Sequence, residues 1–427
     1  MTIMQNEPVE FESDHASHAC ESAVRKLGGT EQLFWLLDRH RPTHFVMAAQ
    51  FDRVFTADAW RAALHAVQQR HALLGTRIVG DEQANLVFHR DDEARIALRV
   101  IRGAASAWQA QAERELREPF DTSVAPLVRV TVLQDERAST LLLAAHHSVL
   151  DGMGGAYVIE DLLRALTGEA LDRLPVVQPL ETLLRESIEQ ADAPPAPTPA
   201  PQAKVFRPVG ATSLRVGASA LDPALTQALV ERARIEQTTV HGALAAAVHE
   251  AGRRVSDAWR ARSLRTVTPI DVRALANGAG KANGVYITQT ITVDDHPVGA
   301  DFWAAARAMK AQLAPAQKYE NVVTELKGLD AVMATKPSVE HASGFLAHVL
   351  AFDVLLSNLG DAPIPTGYAG LKLEALWGPM VSSGFADDQV IGVCTLDGVL
   401  RLTHASYGAL PGLLAEMEAV LREAVAP

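Results

Sequence analysis

The 427-residue chain is short of several features that would assign it quickly. It has two cysteines, Cys20 and Cys394, too few for a disulfide framework, so a reducing and cytoplasmic setting is expected. Positive charge is scarce: 39 Lys and Arg stand against 51 Asp and Glu, a net charge of −12. That balance argues against a nucleic-acid partner, because phosphate binding needs a basic surface. No run approaches the roughly 20 apolar residues of a membrane span. The N-terminus, MTIMQNEPVEFESDHASHACES, has neither the cationic start nor the apolar core of a signal peptide. The Gly-x-Ser-x-Gly elbow of an ordinary serine hydrolase is missing, as are HExxH and CxxC metal motifs. Aromatic residues make up only 5%, which carries no functional reading.

What is present describes a soluble globular protein, with 48% hydrophobic and 21% charged residues. The length suits two domains of about 200 residues each. The clearest boundary is residues 191–201, ADAPPAPTPAP, where alternating prolines favour extended polyproline II. The expected organisation is a flexible leader over 1–26, whose His15 and His18 are simply solvated, and an N-terminal lobe over 27–190. A Pro/Ala linker over 191–204 and a C-terminal lobe over 205–427 complete it. Thr30 is a candidate cap for a helix over LFWLLDRH, and strands and helices then alternate to the end.

Residues 141–155, LLLAAHHSVLDGMGG, organise the rest. An apolar strand over 140–145 runs into His146 and His147. Asp151 and Gly152 follow, then a helix over 153–167 with a 3.6-residue apolar stripe closed by Gly168. A histidine after an apolar strand is commonly a satisfied structural residue, and a His-His pair can be half of a metal site. A usable zinc site needs further ligands that the chain does not supply, so no metal is expected. The combined pattern His-His-x-x-x-Asp-Gly is more specific than its parts. It resembles the signature of the CoA-dependent acyltransferase superfamily: chloramphenicol acetyltransferase, the condensation domains of nonribosomal peptide synthetases and the PapA-type polyketide-associated acyltransferases.

Other segments extend the resemblance over about residues 27–425. Residues 64–78, LHAVQQRHALLGTRI, are similar to a condensation-domain helix ending in Arg-His, with Arg70 and His71 read as structural at a helix C-terminus. Residues 113–130 carry Pro-Phe-Asp and then Pro-Leu-x-Arg-Val. The strands 127–133 and 140–145 form a hairpin that makes the His147 strand rigid. An Ala-rich helix over 239–255 also matches, with His241 assigned to its surface. Residues 266–291 hold an Asp-Val-Arg…Gly…Asn segment in which the resemblance pairs Arg273 with Asp151; Asp271 is a nearer alternative partner. VLLSNLG at 354–360 is similar to a Ser/Thr-Asn segment of related acyltransferases. At 374–384 the condensation-domain Asp-Phe-Gly-Trp-Gly pattern survives only as Trp377-Gly378, which favours a free-standing acyltransferase, with Trp377 a packing residue.

The resemblance implies an α/β fold of two chloramphenicol-acetyltransferase-like lobes. Each would be a mixed sheet with helices, the two arranged as a V with a channel at the seam. Both lobes lie in one chain, so a monomer is expected to suffice. Acyl transfer from a thioester needs a base for the attacking group and donors for the oxyanion, but no covalent enzyme intermediate. The catalytic expectation falls on His147 as base, or as the group that positions the nucleophile, and on the Gly152 amide as oxyanion donor. His146, Asp151 and Arg273 are expected to support the site, and Asn358, Ser382 and Ser383 to orient substrate. No permanent cofactor is implied; the donor would be a phosphopantetheine thioester on an acyl carrier protein, or acyl-CoA. A carrier protein of a polyketide synthase or peptide synthetase module would act in trans, with a small alcohol or amine as acceptor. Ester formation is favoured; amide formation, a non-catalytic carrier-binding scaffold and, remotely, a zinc hydrolase are the competing readings.

Overall fold

A computed structural model describes residues 23–81, 85–103, 105–195, 200–211 and 213–426. His15, His18 and Cys20 of the expected leader lie outside the described residues, as do positions 196–199 of the linker. The described strands fall into three sheets. A small one has the order β1 (Ala23–Lys26), β4 (Val87–Arg90), β3 (Thr76–Val79), all antiparallel.

The first large sheet runs β12 (Gly367–Tyr368), β13 (Leu371–Val381), β2 (Phe45–Phe51), β7 (Ser139–Ala145), β6 (Val128–Gln134), β5 (Ala97–Arg102). Only its β5–β6 pair is parallel. The second runs β10 (Ile287–Asp294), β9 (Leu264–Asp271), β11 (Val354–Asp361), β14 (Gln389–Leu396), β15 (Val399–Ser406), β8 (Arg215–Leu221). There β11 is parallel to both β9 and β14. The fold is thus two mixed α/β lobes, as the sequence implied.

Local patterning accounts for most elements. In β7 every residue of STLLLAA is buried, as a central strand covered on both faces requires. It pairs with β6 from Val128↔Ala145 to Gln134↔Ser139, the expected hairpin. The motif helix, Gly152–Leu166, is capped by Asp151, whose Oδ1 accepts the Gly154 N–H at 2.6 Å, and Gly168 closes it at φ +88°. Gly155 is where the helix comes nearest β2, since a Cβ there would sit 2.8 Å from Met47 Sδ and 3.0 Å from Phe45.

Four expectations need correction. The linker does not separate two self-contained halves: β12 and β13 come from beyond it yet complete the first sheet, β13 pairing with β2 from Leu373↔Phe51 to Val381↔Phe45. The reason lies in β2, FVMAAQF, which is too apolar to be left as an open edge. The linker itself is anchored, with the Ala200 and Lys204 N–H groups donating to the carbonyls of His348 and Ala347.

Residues 23–26 are not leader but β1, held by a buried two-pronged ion pair between Arg25 and Glu31 at 2.6 and 2.7 Å. The first helix, Gly29–His40, starts at Gly28, so Thr30 is no cap. Its N–H and hydroxyl both donate to Glu181 instead. His241 is half-buried rather than on the helix surface, its Nε2 3.1 Å from Thr268 on β9. Strand β8 begins only at Arg215, because Pro208 and the left-handed Gly210 keep the preceding turn out of the ladder.

Candidate active site

Beyond Ala145 the backbone leaves the sheet as His146, His147, Ser148, Val149 and Leu150, all buried. The Ser148 hydroxyl ties this turn to the Glu31 carbonyl of the first helix at 2.8 Å. His147 lines a cavity of about 1270 Å³ walled by both lobes. Phe34 and Leu37 of the first helix, Gly152 and Met153 of the motif helix, and Asn358 and Pro379 of the second half all face it.

The His147 ring stacks flat on Phe34, with centroids 4.1 Å apart and planes within 6°, and leans on Phe45 at 5.1 Å. Its Nδ1 is buried without a hydrogen bond, so Nε2 is the nitrogen able to meet a substrate. Burial pushes its pKa down to about 4, against the opposing pull of the Asp151 charge and nearby backbone carbonyls. The ring is therefore neutral at pH 7 and able to accept a proton.

His146 points away from the cavity. Its Nδ1 accepts the Ser148 N–H at 3.1 Å, which leaves the proton on Nε2, 3.5 Å from Asp38 Oδ2. Asp38 also accepts the Thr43 N–H at 2.8 Å. Burial pushes the Asp38 carboxyl up, but the His146 and His44 imidazoles and this N–H outweigh it and hold it below the usual carboxylate range. His146 thus braces the turn from behind.

Asp151, 1% exposed, is fully committed. Arg273 Nη2 donates to its two oxygens at 2.7 and 2.8 Å, and the Gly154 and Tyr286 N–H groups donate at 2.6 and 3.0 Å. The Arg273 guanidinium also donates to the Ala282 carbonyl at 2.8 Å and lies 4.7 Å from the Tyr286 ring centroid. Asp271, the alternative partner, takes only the Arg273 backbone N–H at 2.9 Å. The aspartate therefore fixes the turn and joins the two halves of the chain, and is not spent on orienting His147.

Gly152 opens the motif helix, so its N–H has no acceptor within the helix and lies at the positive end of the dipole. A Cβ there would meet Leu359 at 3.0 Å and Pro379 at 3.4 Å, so a larger residue would crowd the cavity beside His147. Asn358, Ser382 and Ser383 all line the cavity. Asn358 Oδ1 accepts the Gly360 N–H at 2.8 Å, and the Ser382 hydroxyl is buried without a partner. The Ser383 hydroxyl is spent on Asp388 and on the Phe385 N–H, so it shapes the loop rather than greeting substrate.

Sequence reasoning missed Phe34 and Asp38, and gave no sign that Glu325 lines the cavity. An acidic residue inside the apolar helix segment LFWLLDRH was the one available hint for Asp38; nothing local marks the other two. Trp377 packs against Trp108 at 5.3 Å, as expected of it. Among the described residues no group of three or more His, Cys, Asp or Glu could hold a metal ion, and no helix is long and apolar enough to cross a membrane.

Residues 32–179 match the family model described as the condensation domain. One linear gramicidin synthase protein of Brevibacillus parabrevis is 26% identical over 160 residues, and a second from the same organism is 31% identical over 149. These matches cover 35% and 32% of the chain but only 3% and 2% of those proteins, so the chain spans a small fraction of the curated relatives it matches. Among solved structures, polyketide synthase associated protein 5 from Mycobacterium tuberculosis superposes with a TM-score of 0.66 at 18% identity, covering 95% of this chain and 99% of that one. Trichothecene 15-O-acetyltransferase from Fusarium sporotrichioides gives 0.66 at 14% identity over 94% of each chain. The first condensation domain of the CDA synthetase gives 0.66 at 16%, covering 95% and 97%.

Proposed function

We propose that this chain, which has the CoA-dependent acyltransferase fold and a condensation-domain match over residues 32–179, moves an acyl group from a thioester to a hydroxyl or amine, ester formation favoured. The carrying observation is a buried His147 on the wall of a large cavity lined by both lobes, beside the first amide of the motif helix, which has no acceptor within that helix. The nucleophile's O–H or N–H attacks the thioester carbonyl while Nε2 takes its proton. The oxyanion of the tetrahedral intermediate faces the Gly152 N–H and the helix dipole. Collapse breaks the C–S bond, and the imidazolium returns the proton to the leaving thiolate. Ester or amide and free thiol are the products, and the ring ends as it began. The Phe34 stack holds the imidazole in place, and Asp151 with Arg273 holds the turn that carries it.

The donor in this reading is phosphopantetheine on a carrier protein supplied in trans, or CoA. Incubating acyl-loaded carrier protein and acyl-CoA with alcohols and amines, read by intact mass, tests it. Wild type should yield product, and His147→Ala should lose roughly 10²–10⁴-fold of the rate, the range for a general base. Carrier binding without turnover, equal in both proteins, would replace the enzyme with a scaffold. Product from amines alone would make the bond an amide.

A further inference from the structure

The cavity is not uniformly apolar. Helix Tyr319–Ala334 presents Leu326, Leu329, Val332 and Met333 to it, yet also Glu325. The Glu325 carboxyl accepts the Gln289 N–H at 3.2 Å. Burial pushes it up to about 7, with that N–H pulling the other way and no side-chain cation among the described residues offsetting the burial. Thr288, 5% exposed, lines the same stretch, and its hydroxyl has no hydrogen-bond partner. A carboxyl desolvated without a cation and a buried hydroxyl left unpaired are both unfavourable unless a ligand completes them. Gln289 lies three residues beyond Tyr286, whose N–H holds Asp151. At roughly 3.4 Å per residue, about 10 Å of backbone separates the N–H that holds Glu325 from the one that holds Asp151. Glu325 is thus anchored on a different part of the strand from the group that holds the motif turn, which suits it to a substrate group other than the reacting one.

We propose that Glu325, with Thr288 beside it, is a specificity residue that takes a protonated amine carried by the substrate away from its reacting atom. This rests on the cavity being the substrate site of the acyl transfer proposed above. A carboxylate or phosphate would be set against the Glu325 carboxyl, and a bare hydrocarbon would leave that carboxyl without a cation and the Thr288 hydroxyl unpaired.

Calorimetric titration of the full chain with octylamine, 1-octanol and octanoate holds the chain length fixed and varies only the head group. Wild type should bind octylamine at least tenfold more tightly than octanol, with octanoate weakest. Glu325→Gln should bring octylamine and octanol within threefold of one another while leaving octanol unchanged. Equal affinity for the three head groups, no binding of any, or an amine preference that survives Glu325→Gln overturns the proposal. Should that variant not fold, Thr288→Val supplies the second arm. A selective loss of octylamine affinity supports the proposal, and equal loss for all three overturns it. Amine preference with no acyl transfer from any donor would keep Glu325 as an amine-binding residue and overturn its role as a specificity residue for the transfer.

Discussion

Removing one partner of the Asp151–Arg273 pair tests whether the motif aspartate is architecture or chemistry. Both side chains are buried, at 1% and 8% exposure, and the guanidinium spends one nitrogen on both carboxylate oxygens. Asp151→Asn keeps an oxygen for the Gly154 N–H and so preserves the helix cap, while leaving the buried Arg273 guanidinium without the carboxylate it is hydrogen-bonded to. Breaking a buried pair from one side costs about 3–5 kcal/mol. Arg273→Met strands the carboxylate, still held by two backbone N–H groups, and should cost a similar amount. Asp151→Ala adds the lost cap, about 1 kcal/mol more. In the double variant Asp151→Asn/Arg273→Met neither charge is stranded, so the loss should fall short of the sum by about 0.5–3 kcal/mol. Urea unfolding reads this directly, since a loss of 3 kcal/mol moves the midpoint by about 1 M at an m-value near 3 kcal/mol/M. Transfer rate is measured alongside. Single variants within about 1 kcal/mol of wild type would refute the energetic argument. An Asp151→Asn protein with an unchanged midpoint but the activity of His147→Ala would make the aspartate a catalytic partner of His147 after all.

Two further outcomes follow from the same geometry. Burial holds the His147 pKa near 4, with the Asp151 charge pulling it up and His146 down, so the base stays neutral well below pH 6.5. The acid limb of kcat/KM should lie near pH 4, and a limb between 6 and 7 would contradict the buried ring. The stability term has the matching sign: the unfolded imidazole takes up a proton below about 6.5 that the folded one refuses until about 4. Together with His44, His241 and His404, also held near 4, it withdraws stability as pH falls through that window. At the lobe junction, a Cβ on Gly392 would lie 2.2 Å from the Pro379 carbonyl oxygen, so Gly392→Ala must push β14 away from β13. A cost of roughly 1–3 kcal/mol and reduced transfer are expected, because Pro379 also walls the cavity. Gly217→Ala, whose nearest neighbour is a leucine methyl at 3.3 Å, should unfold close to wild type.

What could be read in the sequence is what short-range patterning controls. The strand Ser139–Ala145, its hairpin partner, the turn and the capped motif helix all follow from apolar periodicity, turn residues and one N-cap aspartate. The Asp151–Arg273 pair spans 122 positions and became legible only through resemblance to a family pattern. No local signal marks β13 as a partner of β2: its sequence, LKLEALWGPMV, would serve equally in the second sheet. The choice is made by β2, which is apolar on both faces and needs covering. The same limit hid Phe34 and Glu325, whose functional position exists only once helices from opposite ends of the chain meet over one cavity.

The second lobe shows why such a site must be argued from access as well as from residue geometry. His249 Nε2 lies 2.6 Å from the Thr266 hydroxyl, and its Nδ1 lies 3.1 Å from Asp294 Oδ2. In outline this is a hydroxyl–imidazole–carboxylate triad, and a tidier one than anything around His147. Yet His249 and Thr266 are fully buried and do not reach the wall of the large cavity, and Arg253 spends its guanidinium on Asp294 at 2.6 Å. The trio therefore fastens helix Val240–Val255 to β9 and β10. His147 has no carboxylate directed at it, but it has a sealed Nδ1, a flat aromatic support and a second nitrogen at the wall of a cavity large enough for substrate. Proton transfer needs contact with the reacting atom, so in the proposed reaction it is the histidine at the cavity wall, and not the better-connected one, that has access.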